Sequence, residues 1–155
     1  MTFKVACLGA GYFSALQRES WARMDDVSIV GVGDLDLAKA EATGYPAFDN
    51  VTDLLALSPD IFDIAVPPAG HAAAVRAGLA AGVATIICQK PFCTSLEEAE
   101  AVVAEAKGAG ITLVVHENFR FQPWYRHLKA ALDEGVVGEV LQMTFRLRPG
   151  DAQGP

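Results

Sequence analysis

Basic residues are scarce: 12 Lys and Arg stand against 19 Asp and Glu in 155 residues, a formal net charge of −7. Nucleic acid and anionic membrane surfaces are poor partners for such a chain, because both need clustered cations, and no basic stripe occurs. Long hydrophobic runs are missing too. The longest apolar stretches are about five to eight residues, against the roughly 20 that cross a bilayer. The N-terminus, Met1-Thr2-Phe3-Lys4, enters a strand-like run directly, without the charged and then apolar segments of a signal peptide. Cys7, Cys88 and Cys93 are odd in number, lie in or beside apolar runs and lack metal-ligand spacing. They read as small buried hydrophobes in a reducing compartment, so the cytoplasm is the expected location and no metal is expected.

What the sequence does have is a rhythm. Short β-branched runs alternate with Ala-rich segments, the pattern of a parallel sheet with crossover helices. Strands are expected at Phe3–Leu8, Val27–Val32, Phe62–Val66, Ala84–Cys88 and Thr112–His116. They are apolar enough to be covered on both faces. A helix is expected over Ser95–Lys107, with Leu96, Ala99, Val103 and Ala106 as its inner stripe. Ser95 would cap it, Glu98 would complete a capping box, and Gly108 and Gly110 would end it. A second helix is expected over Ala69–Ala81, stopped by Gly82.

After His116 the rhythm changes. Pro123–Glu134 reads as a helix, Gly135 to Gly138 as a turn, and Glu139–Arg148 as one half-exposed strand before a turn-rich tail, Pro149–Pro155. A lone strand leaves an edge without a partner. The expected organisation is therefore a domain over 1–134, with 135–155 the beginning of a truncated second domain.

The stretch "VACLGAGYFS" reads as a dinucleotide-binding turn, which needs strand, glycine turn, helix, second strand and then an acidic residue. All five occur here. Gly9 permits the sharp turn, and Gly11 lets backbone approach a pyrophosphate. The helix after Phe13 points its free N–H groups at the phosphates, and Tyr12 and Phe13, between the turn and that helix, are expected to touch the cofactor. Asp34 closes the second strand at the expected spacing of about 20 residues, where a carboxylate accepts both ribose hydroxyls and favours NAD over NADP. Ser14 stands where glycine or alanine is usual; its hydroxyl can bond backbone in the first helical turn or reach a phosphate oxygen.

Ligands of open parallel sheets bind beyond the carboxyl ends of the strands. The residues there are polar: Pro67 to His71, Gln89-Lys90-Pro91, and His116-Glu117-Asn118. A desolvated Lys90 can act as an acid or hydrogen-bond donor to a substrate oxygen. His71 and Asn118 are each equally open to a structural role. His116 and Glu117 leave their strand on opposite faces, so at most one of them faces a site. Trp21, Trp124 and Tyr125 read as packing aromatics.

"GAGYFS", "GDLDLAKA", "VPPAGH", "CQKPFCTSLEEAE" and "ENFRFQPWY", in this order, resemble the Gfo/Idh/MocA family of glucose–fructose oxidoreductase and inositol dehydrogenase. The resemblance implies an N-terminal Rossmann-type, doubly wound parallel sheet followed by an α+β domain that carries oligomer contacts. It implies oxidation or reduction of sugar, polyol or cyclitol hydroxyls with NAD or NADP. Lys90 would be the catalytic residue of this chain, near the nicotinamide and the substrate hydroxyl, with Gln89 close to the cofactor ribose. Pro67 and His71 would line the cofactor cleft, Asn118 would lie near the nicotinamide end, and Lys39 stands where relatives carry arginine beside the adenine. Gln89 departs from the family's Glu-Lys-Pro, and the sequence stops before the Asp and His that complete the family's catalytic set. The expected protein is thus the cofactor-binding part of an NAD(P)-dependent dehydrogenase, homo-oligomeric at full length. A noncatalytic NAD-binding module is the alternative.

Overall fold

The computed structural model describes residues 2–146. The chain divides into two compact units, the first ending at Glu117 and the second beginning at Asn118. The first is built on six strands: β1 (Phe3–Leu8), β2 (Val27–Gly33), β3 (Ala47–Phe48), β4 (Ile61–Ile64), β5 (Thr85–Gln89) and β6 (Thr112–His116). Their order is β3-β2-β1-β4-β5-β6, parallel throughout. This is the doubly wound order expected from the sequence, with its topological switch between β1 and β4. β3 and the five-residue helices α2 (Leu37–Glu41) and α3 (Val51–Leu55) were not anticipated. Elements this short carry no periodic signal.

Alternation along the strands sorts side chains into two layers. Ala6, Phe62, Ile64, Ile86 and Cys88 join Leu54, Val75 and Val102 in the larger core, under α3, α4 (His71–Ala80) and α5 (Leu96–Gly108). Val5, Cys7 and Val32 form the smaller core with Ala40 and Trp21, under α1 (Tyr12–Trp21) and α2. The parallel strands are apolar because helices cover both faces. β6 departs from this. As the sheet edge it leaves Val114 and Val115 exposed.

In α5 Ser95 is the N-cap, its Oγ accepting the Glu98 N–H at 3.2 Å. The return bond is displaced by one residue from a capping box: Glu98 Oε2 accepts from the Thr94 N–H and hydroxyl, at 3.0 and 2.9 Å. Those two donors hold the Glu98 carboxyl below its usual range. The expected inner stripe is rotated as well. Val102 and Ala106 are buried, while Leu96 is 74% exposed. Arg76 on α4 forks onto Glu105 of α5, 2.8 Å at its shortest.

The second unit opens with a 3-10 turn over Asn118–Phe121 and continues into α6 (Pro123–Asp133). Pro123 suits the first helical position, where no N–H is needed. Helix α6, expected in the first domain, belongs to this unit. The Tyr125 ring packs edge-on to Phe119 at 6.4 Å and tilted against Phe145 at 6.2 Å. The strand expected over Glu139–Arg148 does not form among residues 139–146: a strand needs a paired neighbour, and none of the described strands pairs with this segment. Residues 147 and 148 and the tail 149–155 lie outside the described residues. Among the described residues no helix is long and apolar enough to cross a membrane.

Burial ranks two substitutions. Phe62 is fully buried, so Phe62→Ala is expected to lower the unfolding free energy by about 3–5 kcal/mol. Leu96→Ala is expected to cost less than about 0.5 kcal/mol. Urea denaturation of both variants checks the pair, and a large loss from Leu96→Ala would contradict the rotated stripe.

Candidate functional site

The glycine turn lies at the switch point, after β1. Gly9 has φ +106°, and a Cβ built on it would stand 2.4 Å from the Ala65 carbonyl oxygen, just past β4. Only glycine fits there. Gly11 is different: its backbone is extended, φ −76° and ψ −177°, and an added Cβ would meet nothing within 4 Å. Helix α1 starts at Gly11 with no side-chain cap and no acidic residue in its first turn. Its first N–H groups and positive dipole end therefore face an open cradle. The Tyr12 side chain is exposed beside it, and Phe13 is partly so.

Beneath the cradle the turn is locked by residues of α1. The Ser14 hydroxyl donates to the Gly11 carbonyl at 2.7 Å, so of its two expected roles it takes the backbone one, and it is buried. Arg18 Nη1 donates to Ser14 Oγ at 2.9 Å and to the Gly9 carbonyl at 3.2 Å. Above it stands Asp34. Its Oδ2 accepts the Ala10 N–H at 2.8 Å and its Oδ1 the Asp36 N–H at 3.0 Å. Each oxygen keeps a further lone pair for a hydroxyl donor. Lys39 is drawn to Asp36 at 3.5 Å, both largely exposed.

Lys90 leaves β5 toward the same turn, its Nζ 6.0 Å from the centre of the Phe13 ring. The Lys90–Pro91 peptide is cis. His71 secures this segment from below. Its Nδ1 lies 2.9 Å from the Pro91 carbonyl oxygen and 3.2 Å from that of Phe92, and its Nε2 lies 2.8 Å from that of Val66. The imidazole has no exposed surface, so no bound molecule touches it in this conformation. The residue expected to line the cleft instead ties the Val66-Pro67 loop to the Lys90-Pro91-Phe92 turn. Pro67 is exposed at the mouth.

The α1 side of β4, β5 and β6 carries polar groups that the opposite side lacks. Asp63, 3% exposed, accepts from Trp21 Nε1 at 2.7 Å and from Gln17 Nε2 at 3.1 Å. Gln17 Nε2 also lies 2.9 Å from His116 Nδ1, and Gln89 Nε2 lies 3.3 Å from the same nitrogen. Gln89 Oε1 accepts the Lys90 N–H at 2.9 Å. Burial pushes the Asp63 carboxyl above its usual range, with the Trp21 bond and then the neighbouring His116 and Arg18 opposing. Burial also raises the Cys7 thiol and pushes that of Cys88 up to about 12, so neither is a thiolate nucleophile near neutrality. Among the described residues no three of His, Cys, Asp and Glu are grouped as a metal ion requires.

The first unit thus brings together Gly9, Gly11, Tyr12, Phe13, Asp34, Pro67, Gln89 and Lys90 around the strand ends. Asn118 opens the second unit, with its Oδ1 buried and unpartnered. Gln17, Arg18, Trp21 and Asp63 were missed as a group. The one sequence signal was Asp63, a charge inside an otherwise apolar strand. Trp21 is a packing residue as expected, with an added bond to Asp63.

Comparison with known proteins agrees with this geometry. Residues 3–117 match the Gfo/Idh/MocA family, described as an oxidoreductase family with an NAD-binding Rossmann fold. The chain is 39% identical over 143 residues to a D-apiose dehydrogenase of Paraburkholderia graminis, covering 88% of this chain and 38% of that protein. It is 29% identical to an inositol 2-dehydrogenase of Rhizobium meliloti, over 98% of this chain and 47% of that protein. Among solved structures, an oxidoreductase from Agrobacterium radiobacter in complex with NAD+, L-tartaric acid and magnesium superimposes with a TM-score of 0.84 at 34% identity. That match covers 90% of this chain and 42% of the other. The chain therefore spans less than half the length of these relatives. With the strand order, the glycine turn and the Lys-Pro segment all in place, the chain belongs to the Gfo/Idh/MocA oxidoreductase family.

Proposed function

We propose that residues 3–117 hold NAD, and that the whole protein is a dehydrogenase acting on a hydroxyl or carbonyl of a sugar, polyol or cyclitol. The observation that carries this reading is the contrast between two glycines. Gly9 is demanded by the fold, through its φ and the Ala65 carbonyl. Gly11 is not demanded by close packing: among the described residues, nothing lies within 4 Å of an added Cβ. A ligand that approaches the backbone closely accounts for it, and a pyrophosphate suits the uncapped start of α1. Asp34 suits the adenosine ribose, its remaining lone pairs taking the two hydroxyls, and its charge disfavours a 2′-phosphate.

When bound, the nicotinamide supplies hydride acceptance and donation. The part of this chain in the chemistry falls to Lys90. Its ammonium, held near Phe13, donates a hydrogen bond to the substrate oxygen, orients it and assists movement of its proton with a partner outside this chain. Gln89 and His71 hold the backbone on which Lys90 stands. The names of the apiose and inositol dehydrogenases support the substrate class. The reading extends to a cytoplasmic location, which suits three free cysteines, and, by family resemblance, to a homo-oligomer.

Two pairs of variants test it. Gly9→Ala is expected to destabilise the chain by at least about 2 kcal/mol. Gly11→Ala is expected to keep stability within about 0.5 kcal/mol while lowering NAD affinity tenfold or more, roughly 1.4 kcal/mol. Thermal unfolding with calorimetric NAD titration separates these effects; unchanged NAD affinity in Gly11→Ala would refute the cradle. In the second pair, Asp34→Ala is expected to weaken NAD about tenfold and to narrow the preference over NADP. Lys90→Ala is expected to keep NAD affinity within about twofold and, in the full-length enzyme, to lower kcat by about 10²-fold or more. Equal losses of NAD affinity in both variants would contradict the assigned roles.

A further inference from the structure

The polar chain on the α1 side of the sheet runs in one direction only, and Lys90 sets that direction. A backbone N–H only donates, so the Lys90 N–H, 2.9 Å from Gln89 Oε1, requires the carbonyl end of that amide. Gln89 Nε2 is then turned toward His116 Nδ1 at 3.3 Å, and an amide NH2 has nothing with which to accept. His116 Nδ1 must therefore offer a lone pair, with the ring proton on Nε2. Gln17 Nε2 shares that single lone pair through one hydrogen, at the shorter distance of 2.9 Å, and gives its other hydrogen to Asp63 Oδ1 at 3.1 Å. Gln17 Oε1 is left buried without a hydrogen-bond partner. That orphan is what the direction costs: with Nε2 committed to His116 and Asp63, the carbonyl has to face the other way.

We infer that Gln17, His116 and Gln89 are positioning residues that fix the backbone of Lys90, with His116 held as the tautomer protonated on Nε2. The functional meaning of this inference rests on the role proposed for Lys90. It also gives a reason for glutamine at position 89. A carboxylate there would accept from the Lys90 N–H equally well, but it could not donate to His116. It would call for a proton on Nδ1, and that proton would oppose Gln17 Nε2. Gln17 would have to turn over, placing its carbonyl against Asp63, which would then have to become a donor. The amides at 17 and 89 thus belong together. The charged groups around them are Asp63 from β4, which anchors the chain, Arg18 from α1, and Lys90 at its far end.

The test is made on the chain labelled with 15N-histidine, with His116 assigned by comparison with His116→Phe. Long-range 1H–15N correlation of the neutral ring is expected to find the proton on Nε2. Gln89→Glu is expected to bring a proton onto Nδ1, a spectroscopic change that loss of packing alone would not produce. Hydrogen exchange gives a second reading. The Lys90 amide is expected to exchange about tenfold faster or more in His116→Phe and in Gln17→Leu, while the Ile86 and Ile87 amides keep their protection. Neutral His116 protonated on Nδ1 in the unsubstituted chain, or unchanged Lys90 exchange in both variants, would overturn the inference. The tautomer is read on the unsubstituted chain, and His116→Phe serves only to assign its signal. NAD titration of the unsubstituted chain separates the two proposals: absence of binding would sink the cofactor site and leave the tautomer result standing.

Discussion

At the end of β1 one hydrogen atom is all that fits between Gly9 and the Ala65 carbonyl, where a Cβ would stand at 2.4 Å. The rest of the site hangs on this close approach. It lets the chain turn at the point where the sheet order reverses, and it delivers the start of α1 to the crevice between the ends of β1 and β4. Side chains then hold the turn from two directions. Asp34 takes the Ala10 N–H from the β2 side, and Arg18 takes the Gly9 carbonyl from within α1. Ser14, where glycine is usual, becomes part of that lock rather than a defect in it, because its hydroxyl joins Arg18 to the Gly11 carbonyl.

The two sides of the sheet solve different problems. The side under α3, α4 and α5 is a continuous apolar core. The α1 side carries a buried carboxylate, two carboxamides and an imidazole on β4, β5, β6 and α1. Buried polar groups are tolerated only when hydrogen-bonded. Among the described residues, the one buried side-chain atom of this set without a partner, Gln17 Oε1, follows from the direction of the others. Such a network rigidifies what it touches. It touches the backbone of Lys90 from one side, as His71 holds the Pro91 and Phe92 carbonyls from the other. A lysine on a flexible stem is thereby given a fixed root.

Much of this was legible along the chain. The glycines, the acidic end of β2 and the apolar strands announce themselves by spacing, because strand, turn and helix have fixed periods and the turn tolerates no side chain at Gly9. The Lys-Pro segment and the capped, Glu-rich helix after it were legible by resemblance. The short elements β3, α2 and α3 were not, since two to five residues hold no period. The inner stripe of α5 was legible only to within a rotation, because Leu96 is apolar wherever it points. Glu139–Arg148 has a strand's composition, and residues 139–146 form none, because a strand is a property of a pair.

By itself, then, the sequence determined the order of elements, the parallel sheet and the residues at the carboxyl ends of its strands. Those depend on local sterics and on the alternation of apolar residues, which act over a few positions. Only the tertiary structure decided what those end residues touch. It buried His71, which a sequence reading leaves free to line a cleft, and it joined Gln17, Asp63, Gln89 and His116, which no motif connects. Hydrogen bonds between distant positions depend on distances of about 3 Å set by how whole strands and helices pack. No spacing along the chain encodes such distances.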